Sequence, residues 1–441
     1  MGKERAIYVC SVCGVESSKW QGRCFSCGEF GSLDVRRISN AIRPVVRERI
    51  ARVVGDLNSL DKLSVDLHPR VSTGFLEVNR VLGGGLVSGS VILLAGGPGV
   101  GKSTLLLQLS SRIVHKAPSL YISAEESITQ LKLRAQRLGV DESKVIVCSE
   151  TDVDIIVEVI KSVAERVGLV VVDSIQALSS ERTTSYMGSV VQVRESARKL
   201  TSLCKEMNVP LIVTGHITKS GLIAGPKMLE HLVDVVLYLE GDRFSDLRLL
   251  RGVKNRFGNV LEVGVFRISS DGLHEIEDPS VVFLAGRKTG ISGSVAAVVL
   301  EGARPLILEI QALTSPCGYD SPIRNVVGIG HKRLLMLLAV LQRRAGLNFA
   351  RSSVFVNVSG GVRVFEPGVD FPVCLALMSS FKDRPIDGKT VAFGEVGLLG
   401  EVKQVARQKE RVEIAKKMGF TKVLTADEVS DLKQALVIAG L

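Results

Sequence analysis

The chain has 441 residues, of which 46% are hydrophobic and 23% are charged, and its net charge of +10 gives a pI near 9.2. This length is too great for one core, so we expect two or three packed globular α/β domains. The apolar runs fall far short of the roughly 18 residues that a membrane span needs, and no apolar stretch for a signal peptide precedes the first cysteines. We therefore expect a cytoplasmic protein with no membrane partner, whose charge weakly favours polyanions.

Four of the eight cysteines form two Cys-x-x-Cys pairs near the N-terminus, with ten residues between the pairs. The pairs are Cys10 with Cys13 and Cys24 with Cys27, a spacing typical of a knuckle in which four thiolates hold one zinc ion. A redox pair is the alternative, but no thioredoxin-like context accompanies these cysteines. Because four sulfur ligands close the coordination sphere, we expect a structural zinc ion. Trp20, in the same loop, is either a core residue or a contact surface.

The other cysteines, Cys148, Cys204, Cys317 and Cys374, lie singly. A disulfide framework is not expected in a reducing cytosol. We expect these four thiols to be small buried hydrophobic groups without a chemical role.

The segment that follows the cysteine module is basic. Between Arg36 and Arg52 it has six arginines against the single acid Glu48, contains Pro44, and shows no apolar periodicity. Such a segment is a linker or a basic arm. A solvated tether and a phosphate-contacting arm fit it equally well.

From residue 71 to about 273, short apolar strands alternate with helical stretches, which indicates a mostly parallel sheet covered by helices. The predicted strands are 90–95, 119–123, 144–148, 169–173, 210–215 and 233–240. Two further strands, 247–254 and 260–269, have the pattern of an antiparallel pair. The alternation of strands and helices is interrupted near Asp278, where we place a domain boundary. The residues after it contain strands and helices of their own and suffice for a second domain of about 150 residues.

The strongest motif in the chain is a phosphate-binding loop between an apolar run and a helix-like stretch. It consists of Gly96, Gly97, Pro98, Gly99, Val100, Gly101, Lys102, Ser103 and Thr104. In such a loop, consecutive backbone N–H groups and a helix N-terminus cradle the phosphates of a nucleotide. Lys102 would reach the outer phosphates of ATP, and the Ser103 hydroxyl would bind Mg²⁺. A loop that binds phosphate without hydrolysis is the alternative.

Hydrolysis also requires a carboxylate for the metal ion and a group that orients water. Asp173 ends an apolar strand and is the candidate for the metal ion. Glu125 follows another strand at the same sheet edge and is the candidate base, with Glu126 as its competitor. An acid pair that stabilises a helix N-terminus is the structural alternative for both glutamates. His216 follows a third strand, where its role is either that of a γ-phosphate sensor or structural.

These motifs resemble the RadA (Sms) family of bacterial DNA-repair proteins over nearly the whole chain. The resemblance rests on the four-cysteine knuckle, on Leu82-Gly83-Gly84-Gly85-Leu86 before the loop, on Val172-Asp173-Ser174, and on the family's signature motif. The signature motif consists of Lys254, Asn255, Arg256, Phe257 and Gly258.

The resemblance implies an α/β protein of three parts with ATP, Mg²⁺ and structural Zn²⁺ as cofactors. The parts are a zinc-binding module (1–35) with a basic linker (36–70), a RecA-like P-loop ATPase core (71–280), and an α/β domain similar to the Lon protease domain (281–441). The resemblance also implies a ring-forming, hexameric ATPase. Such a protein would bind single-stranded DNA, promote branch migration of recombination intermediates, and have a recombinase as partner.

Lys254 and Arg256 in the signature motif are two residues apart, so on an extended backbone they would face the same side and could meet one anion. The resemblance implies that this motif couples nucleotide and DNA binding between subunits. A pair of solvated charges beside a turn is the alternative.

The C-terminal domain departs from an active Lon-type peptidase, because Asp370 occupies the position expected for the nucleophilic serine. Lys409 would match the partner lysine, but a lysine without its hydroxyl partner cannot carry out acyl transfer. We therefore expect a domain without a peptidase site that binds DNA and supports oligomerisation. Its basic residues that could follow a phosphate backbone are Arg324, Lys332, Arg333, Arg343, Arg344 and Arg351.

The sequence thus favours a DNA-dependent ATPase of recombinational repair that moves on single strands. An ATP-driven peptidase is opposed by the missing serine. A P-loop nucleotide switch that recruits a protein partner through the zinc module is the other alternative. Stimulation of ATP turnover by single-stranded DNA would separate the motor from the switch.

Overall fold

The computed structural model describes residues 5–12, 15–38, 70–181, 183, 185–216, 226–241, 245–317 and 322–441, with the backbone alone for 5–7, 36–38, 216 and 226–228. Contacts divide the chain into two compact units, Met1–Asp66 and Leu67–Leu441. None of the helices in these segments combines the length and the apolarity needed to cross a bilayer.

The first unit contains a small antiparallel sheet. Its strands are β1 (Arg5–Cys10), β2 (Glu16–Ser17) and β3 (Leu33–Ile38), and β1 lies in the middle. In the described part of this unit, the apolar core consists of Cys10, Cys24 and Leu33, with Tyr8 and Val15 packed against them. A core of this size contributes little stability, and small modules of this kind depend on a metal ion or disulfides.

The first part of the second unit is built on a nine-stranded sheet. Its strands are β4 (Val91–Gly96), β5 (Ser119–Ser123), β6 (Val145–Cys148), β7 (Leu169–Asp173), β8 (Leu211–His216), β9 (Val235–Glu240), β10 (Leu247–Asn255), β11 (Val263–Ser269) and β12 (Gly272–Glu275). Their spatial order is β12–β11–β10–β9–β4–β8–β7–β5–β6. The six strands from β9 to β6 are parallel, whereas β10, β11 and β12 extend the sheet in antiparallel fashion.

Helices cover both faces of this sheet. They are α1 (Leu76–Leu82), α2 (Lys102–Arg112), α3 (Ile128–Arg137), α4 (Val153–Val163), α5 (Val190–Glu206) and α6 (Pro226–Leu232). Alternate residues of a strand point to opposite faces. Accordingly Ile92 of β4 shares a core with Leu105 of α2, whereas its neighbour Leu93 shares another core with Ile156 of α4 and Leu200 of α5. The central strand is therefore buried on both sides.

Polar caps fix where the helices begin after the strands. Ser127 and Gln130 form a reciprocal capping box at the start of α3. The Asp152 side chain accepts hydrogen bonds from the first N–H groups of α4, and Ser189 caps α5 in the same way. These residues satisfy N–H groups that the helices themselves leave unpaired.

The strands predicted from the sequence are confirmed to within three residues at each end. The antiparallel pairing of β10 with β11 is also confirmed. The short strand β12 was not predicted, because four residues give too short a pattern of alternation. The α/β class expected for the chain is therefore correct.

The rest of the second unit is built on a six-stranded sheet. Its strands are β13 (Ser294–Glu301), β14 (Arg304–Pro316), β15 (Arg324–Val327), β16 (Ser352–Val358), β17 (Thr390–Ala392) and, last in the chain, β20 (Lys422–Leu424), while β18 (Glu395–Val396) and β19 (Val402–Lys403) form a separate pair. The helices of this part are α7 (Pro279–Phe283), α8 (His331–Arg344), α9 (Asp370–Lys382), α10 (Gln408–Lys417) and α11 (Leu432–Ile438). The order of the six strands is β15–β16–β14–β13–β17–β20. Both sheets belong to one compact unit, so the division into domains at residue 280 stays a prediction.

Buried ion pairs join the two sheets. Arg304 of β14 contacts Glu77 of α1 at 2.5 Å, and Arg251 of β10 contacts Glu301 of β13 at 2.5 Å. The side chains of Glu77 and Glu301 are 3% and 7% exposed. Because removal of one partner would leave a buried charge unpaired, these contacts fix the second sheet against the first.

Asp370 begins α9 and is completely buried. Its carboxylate accepts two hydrogen bonds from the guanidinium of Arg333 on α8, the one from Nε measuring 2.7 Å, and a third from the N–H of Val396. Burial raises the pKa of Asp370, and the positive charge of Arg333 opposes this. Lys409 is exposed on α10. The cationic partner of Asp370 is therefore Arg333, and the contact is structural.

The prediction that the single cysteines are buried is correct for two of them and wrong for the other two. Cys204 and Cys374 are buried, whereas Cys148 and Cys317 are half-buried. Burial raises the pKa of Cys204 to about 12. Cys148 ends β6, the edge strand of the nine-stranded sheet, and Cys317 follows the end of β14. Neither position is enclosed by strands on both sides.

Replacement of Arg411 by alanine is expected to lower the free energy of unfolding of the C-terminal part by about 3–5 kcal/mol. The Arg411 side chain is 0% exposed, pairs with Glu366 at 2.5 Å, and donates to the carbonyl oxygens of Val298 and Ala406. Denaturation followed by circular dichroism would measure the loss. Lys409→Ala, an exposed change on the same helix, is the control and should change stability by about 0.5 kcal/mol or less. Equal effects of the two substitutions would contradict the prediction.

Candidate nucleotide site and cysteine cluster

The phosphate-binding loop lies between β4 and α2. Because β4 pairs with β8 on one side and β9 on the other, the position of its last residue is fixed. A Cβ on Gly96 would lie 2.6 Å from the carbonyl oxygen of Leu239 on β9, so a side chain does not fit there. At the other end, Gly101 precedes α2 with a φ of 113°, a conformation that glycine adopts readily. The two glycines therefore allow the loop to connect strand and helix.

Lys102 is the buried cation of the loop. Its ammonium donates 3.0 Å hydrogen bonds to the carbonyl oxygens of Gly96 and Gly97. Burial lowers the pKa of Lys102, and the negative charges of Asp173 and Glu125 oppose this. The ammonium and the two predicted carboxylates therefore lie close enough to influence each other.

Both carboxylate oxygens of Asp173, at the end of β7, accept hydrogen bonds from neighbouring strands. The Tyr121 hydroxyl of β5 lies 2.7 Å from Oδ2, and the Thr214 hydroxyl of β8 lies 2.6 Å from Oδ1. Burial raises the pKa of Tyr121, and the charge of Asp173 raises it further. The carboxylate is thus oriented from both sides and keeps lone pairs with which it can bind a metal ion or its water.

Glu125 and Glu126, the two candidates for the water-orienting base, have different partners. Glu125 accepts a hydrogen bond from the hydroxyl of Ser174, the residue after Asp173. Glu126 instead forms an ion pair with Arg134 of α3. The Glu125 carboxylate is therefore held beside Asp173, while that of Glu126 is bound to a helix.

Three residues of this edge were given no role from the sequence: Tyr121, Thr214 and Ser174, the last of which was named only within the motif Val172-Asp173-Ser174. Each lies near the carboxyl end of a parallel strand or directly after it, where ligands bind in such sheets. A search for hydroxyl groups at these ends would have listed the three residues as candidates, without the contacts that they make. The backbone of His216 ends β8 and pairs with Gly96, but its side chain lies outside the described part of the structure. The sensor role of His216 stays a prediction.

The signature motif lies at the end of β10 and in the turn after it. The ammonium of Lys254 donates to the carbonyl oxygens of Glu230 at 2.5 Å and Val233 at 2.7 Å, at the end of α6. Burial lowers the pKa of Lys254, and the charge of Arg256 lowers it further. Arg256 pairs with Asp234 at 3.1 Å, and its side chain is 55% exposed. The arginine is therefore the more accessible of the two cations.

The rest of the motif contacts α1 and the glycine stretch after it. The Asn255 amide donates to the carbonyl oxygen of Leu82 at 3.2 Å, and its oxygen accepts from the N–H of Phe257 at 2.9 Å. A Cβ on Gly258 would lie 3.4 Å from the Cα of Gly83. Two of the sequence stretches that carry the family resemblance are thus in contact.

The cysteine module brings three of the four predicted zinc ligands together. The sulfur atoms of Cys10, Cys24 and Cys27 lie within 4.8 Å of one another, and those of Cys10 and Cys27 are 3.6 Å apart. Cys13 lies outside the described residues. Thiolates bound at about 2.3 Å to one tetrahedral ion are about 3.8 Å apart, so the cluster fits a zinc ion.

Aromatic side chains of the cysteine module are exposed. Trp20 is 63% exposed, which excludes the core position considered for it. Its role as a contact surface stays a prediction. Phe25 and Phe30 are exposed as well, and the guanidinium of Arg23 lies over the Phe30 ring. The module therefore presents apolar rings to its surroundings.

The six basic residues predicted for DNA contact in the C-terminal part differ in their environment. Arg324 donates to the carbonyl oxygens of Phe349 and Ser352, and Arg333 is bound to Asp370. The remaining four are exposed: Lys332, Arg343, Arg344 and Arg351. Contact of any of the six with DNA stays a prediction.

Replacement of Cys24 by serine is expected to abolish zinc binding, because a hydroxyl is a poor substitute for a thiolate ligand. Metal analysis of the purified protein should show about one zinc ion per chain before the change and close to none after it. Cys148→Ser, which changes a thiol of the nine-stranded sheet, should keep its zinc. Retention of zinc by Cys24→Ser would rule out the four-sulfur site.

If Glu125 is the general base, as predicted, its replacement by glutamine is expected to lower kcat for ATP hydrolysis about a hundredfold or more. The KM for ATP should change little, since the predicted role of this carboxylate is to act on water and not on the nucleotide. The matched variant Glu126→Gln breaks the ion pair with Arg134 and should keep kcat near the unmodified value. The reverse order of the two effects would assign the base to Glu126.

The chain matches two family models. Residues 62–221 match an AAA domain, and residues 8–34 match a rubredoxin metal-binding domain. The first range contains the phosphate-binding loop, Glu125 and Asp173, and the second contains the four cysteines. An AAA domain implies ATP hydrolysis with bound nucleotide and Mg²⁺, and the second match agrees with the metal-binding cluster.

Proteins named DNA repair protein RadA are similar to this chain along almost their whole length. The protein of Bacillus subtilis is 43% identical over 427 residues, 96% of this chain and 93% of its own length. That of Halalkalibacterium halodurans is 42% identical over 431 residues, 97% of this chain and 94% of its own. That of Aquifex aeolicus is 44% identical over 424 residues, which is 96% of this chain and 94% of its own length. The chain therefore belongs to the RadA family of DNA repair proteins, as its motifs predicted.

Proposed function

We propose that this protein is a DNA-dependent ATPase that moves on single-stranded DNA as a ring and promotes branch migration of recombination intermediates. The observation that carries the ATPase part is the convergence of Lys102, Asp173 and Glu125 at one edge of the parallel sheet. A cation for the phosphates, a carboxylate for Mg²⁺ and a second carboxylate for water are the groups that hydrolysis of ATP requires.

In the proposed reaction the backbone N–H groups of residues 96–104 hold the phosphates, and Lys102 stabilises the charge on the transferred group. Ser103 and Asp173 hold Mg²⁺, which supplies further positive charge to the phosphates when bound. Glu125 accepts a proton from the attacking water or orients it, and the hydrogen bond from Ser174 keeps its carboxylate at this edge.

We assign the signature motif, residues 254–258, to the contact between neighbouring subunits of a hexameric ring. Arg256 and Lys205 both pair with the buried carboxylate of Asp234, at 3.1 Å and 2.8 Å. Two cations share one negative charge there, so net positive charge remains for an anion from outside. The exposure of Arg256 supports its reaching a neighbouring subunit, while Lys254 stabilises the end of α6.

Binding of DNA is supported by charge and by the names of the relatives. The net charge of the chain is +10, and Lys332, Arg343, Arg344 and Arg351 are exposed in the C-terminal part. Aromatic residues make up 5% of the sequence, so base stacking contributes little and contacts with phosphates should dominate. Binding should therefore weaken strongly as salt is added.

The remaining parts of the proposal concern organisation. We propose a structural zinc ion in module 1–35, a linker at 36–70, the ATPase core at 71–280 and a scaffold for DNA binding and assembly at 281–441. A recombinase is the proposed protein partner, and the cytoplasm is the proposed location. The nucleotide switch that recruits a partner through the zinc module is the second candidate, which the exposed rings of that module favour.

An ATP-driven peptidase is disfavoured by the surroundings of Asp370. This carboxylate is buried and bound to Arg333, and the exposed Lys409 is not its partner. A serine nucleophile and its base would need to share a hydrogen bond at such a site.

The rate of ATP hydrolysis with and without single-stranded DNA, at low and moderate salt, tests the proposal. We expect DNA to raise the rate at low salt and salt to reduce this effect. Lys102→Ala should lose hydrolysis under all conditions, because the phosphates lose their cation. Arg256→Ala should lose the stimulation, whereas Arg198→Ala, which removes a 62% exposed arginine paired with Glu195 on α5, should keep it.

A rate that does not respond to DNA in the unmodified protein would favour the nucleotide switch. Full turnover by Lys102→Ala would contradict the nucleotide site itself. Retained stimulation in Arg256→Ala would remove the signature motif from the coupling and leave the ATPase assignment intact.

A further inference from the structure

A buried arginine that the proposed reaction does not use contacts the phosphate-binding loop. Arg248 of β10 is 7% exposed, and its Nε donates a 3.0 Å hydrogen bond to the carbonyl oxygen of Val100. Its Nη1 donates to the carbonyl oxygens of Ser245 at 2.6 Å and Leu247 at 2.7 Å. Arg248 thus ties the loop to a strand that lies 148 residues further along the chain.

The hydrogen bond to Val100 acts on the peptide unit that Val100 shares with Gly101. In a trans peptide the carbonyl and the following N–H point in opposite directions in one plane, and the cis peptide of the described chain is Asp173–Ser174. With the carbonyl held by Arg248, the N–H of Gly101 points away from the guanidinium. Successive N–H groups of such loops are the groups that bind phosphate.

The positive charge of Arg248 strengthens this effect. A hydrogen bond from an ionised donor is roughly twice as strong as one between neutral groups. A bond to the carbonyl also polarises the same peptide, which makes its N–H a better donor. Gly101 has a φ of 113°, and a glycine is so free in conformation that its neighbours must hold it in place.

The space for Arg248 depends on Gly241, which follows β9. A Cβ on Gly241 would lie 2.8 Å from Nε and 2.9 Å from Nη1 of Arg248. Alanine at position 241 would therefore displace the guanidinium while Arg248 itself remains in the chain.

We propose that Arg248 is a positioning residue for nucleotide binding. It holds the peptide between Val100 and Gly101 so that the Gly101 N–H faces the phosphates of the bound nucleotide. The inference rests on the proposed nucleotide site and adds to it a residue on β10, the strand that ends in the signature motif.

The test uses the full-length protein with Arg248→Gln, Arg248→Lys and Gly241→Ala. Binding of ADP and of a slowly hydrolysed ATP analogue is measured by calorimetry, together with the KM and kcat for ATP and the melting temperature. In Arg248→Gln we expect the Kd for ADP and the KM for ATP to rise about tenfold or more, because a charge-assisted hydrogen bond is lost. The kcat should fall by less than the KM rises, because the groups that activate water are unchanged.

Arg248→Lys keeps the cation and should recover part of the affinity. Gly241→Ala should show the same rise in Kd and KM. If Arg248→Gln does not fold, this variant still tests whether displacement of the guanidinium weakens nucleotide binding. The matched control is Arg267→Gln on the neighbouring strand β11, where the arginine is 48% exposed and pairs with Asp246 at 3.0 Å. This control should keep the Kd and the KM of the unmodified protein.

An unchanged Kd and KM in a folded Arg248→Gln or in Gly241→Ala would overturn the inference, whatever the melting temperatures of these variants. So would a loss of stability in Gly241→Ala with unaltered nucleotide affinity, since Arg248 would then have a purely structural role. Failure of the proposed function is a different result: the unmodified protein would not bind ADP, or Lys102→Ala would bind and hydrolyse ATP normally.

Discussion

The pairing of β4 on both sides is the constraint on which the nucleotide site depends. A central parallel strand cannot shift without breaking two rows of hydrogen bonds, those to β8 and to β9. Its end is therefore a fixed point from which the loop begins, and the same sheet brings Asp173 to that point at the end of β7. The backbone dipoles of the loop can therefore be oriented toward the phosphates before the nucleotide binds, so that binding requires no reorganisation of the loop.

Much of this site could be predicted because its signals are local. The loop, the strand before it and the helix after it are contiguous, and the same is true of each Cys-x-x-Cys pair. The residues that were missed depend on pairings between distant segments. The hydrogen bonds from Tyr121 and Thr214 to Asp173 join residues 52 and 41 positions apart, and that from Arg248 to Val100 spans 148. Such contacts follow from strand order and register, which one sequence does not give.

The signature motif shows a second limit of sequence patterns. Lys254 and Arg256 lie two positions apart and carry the same charge, yet their environments differ because α6 ends beside Lys254. The carbonyl oxygens of Glu230 and Val233 at that helix end attract the ammonium of Lys254. Arg256 meets a carboxylate instead and stays more than half exposed. In the same way the sequence indicated that Asp370 replaces a serine, but its neutralisation by Arg333 comes from a neighbouring helix.

The exposed position of Trp20 has a practical consequence, because the sequence contains a single tryptophan. Its emission arises entirely within the cysteine module, and every other part of the chain is silent when tryptophan is excited selectively. A molecule that covers this ring would move its emission to shorter wavelength. Release of a metal ion from the cysteine cluster would alter the same signal. The native chain thus carries its own optical reporter for one module.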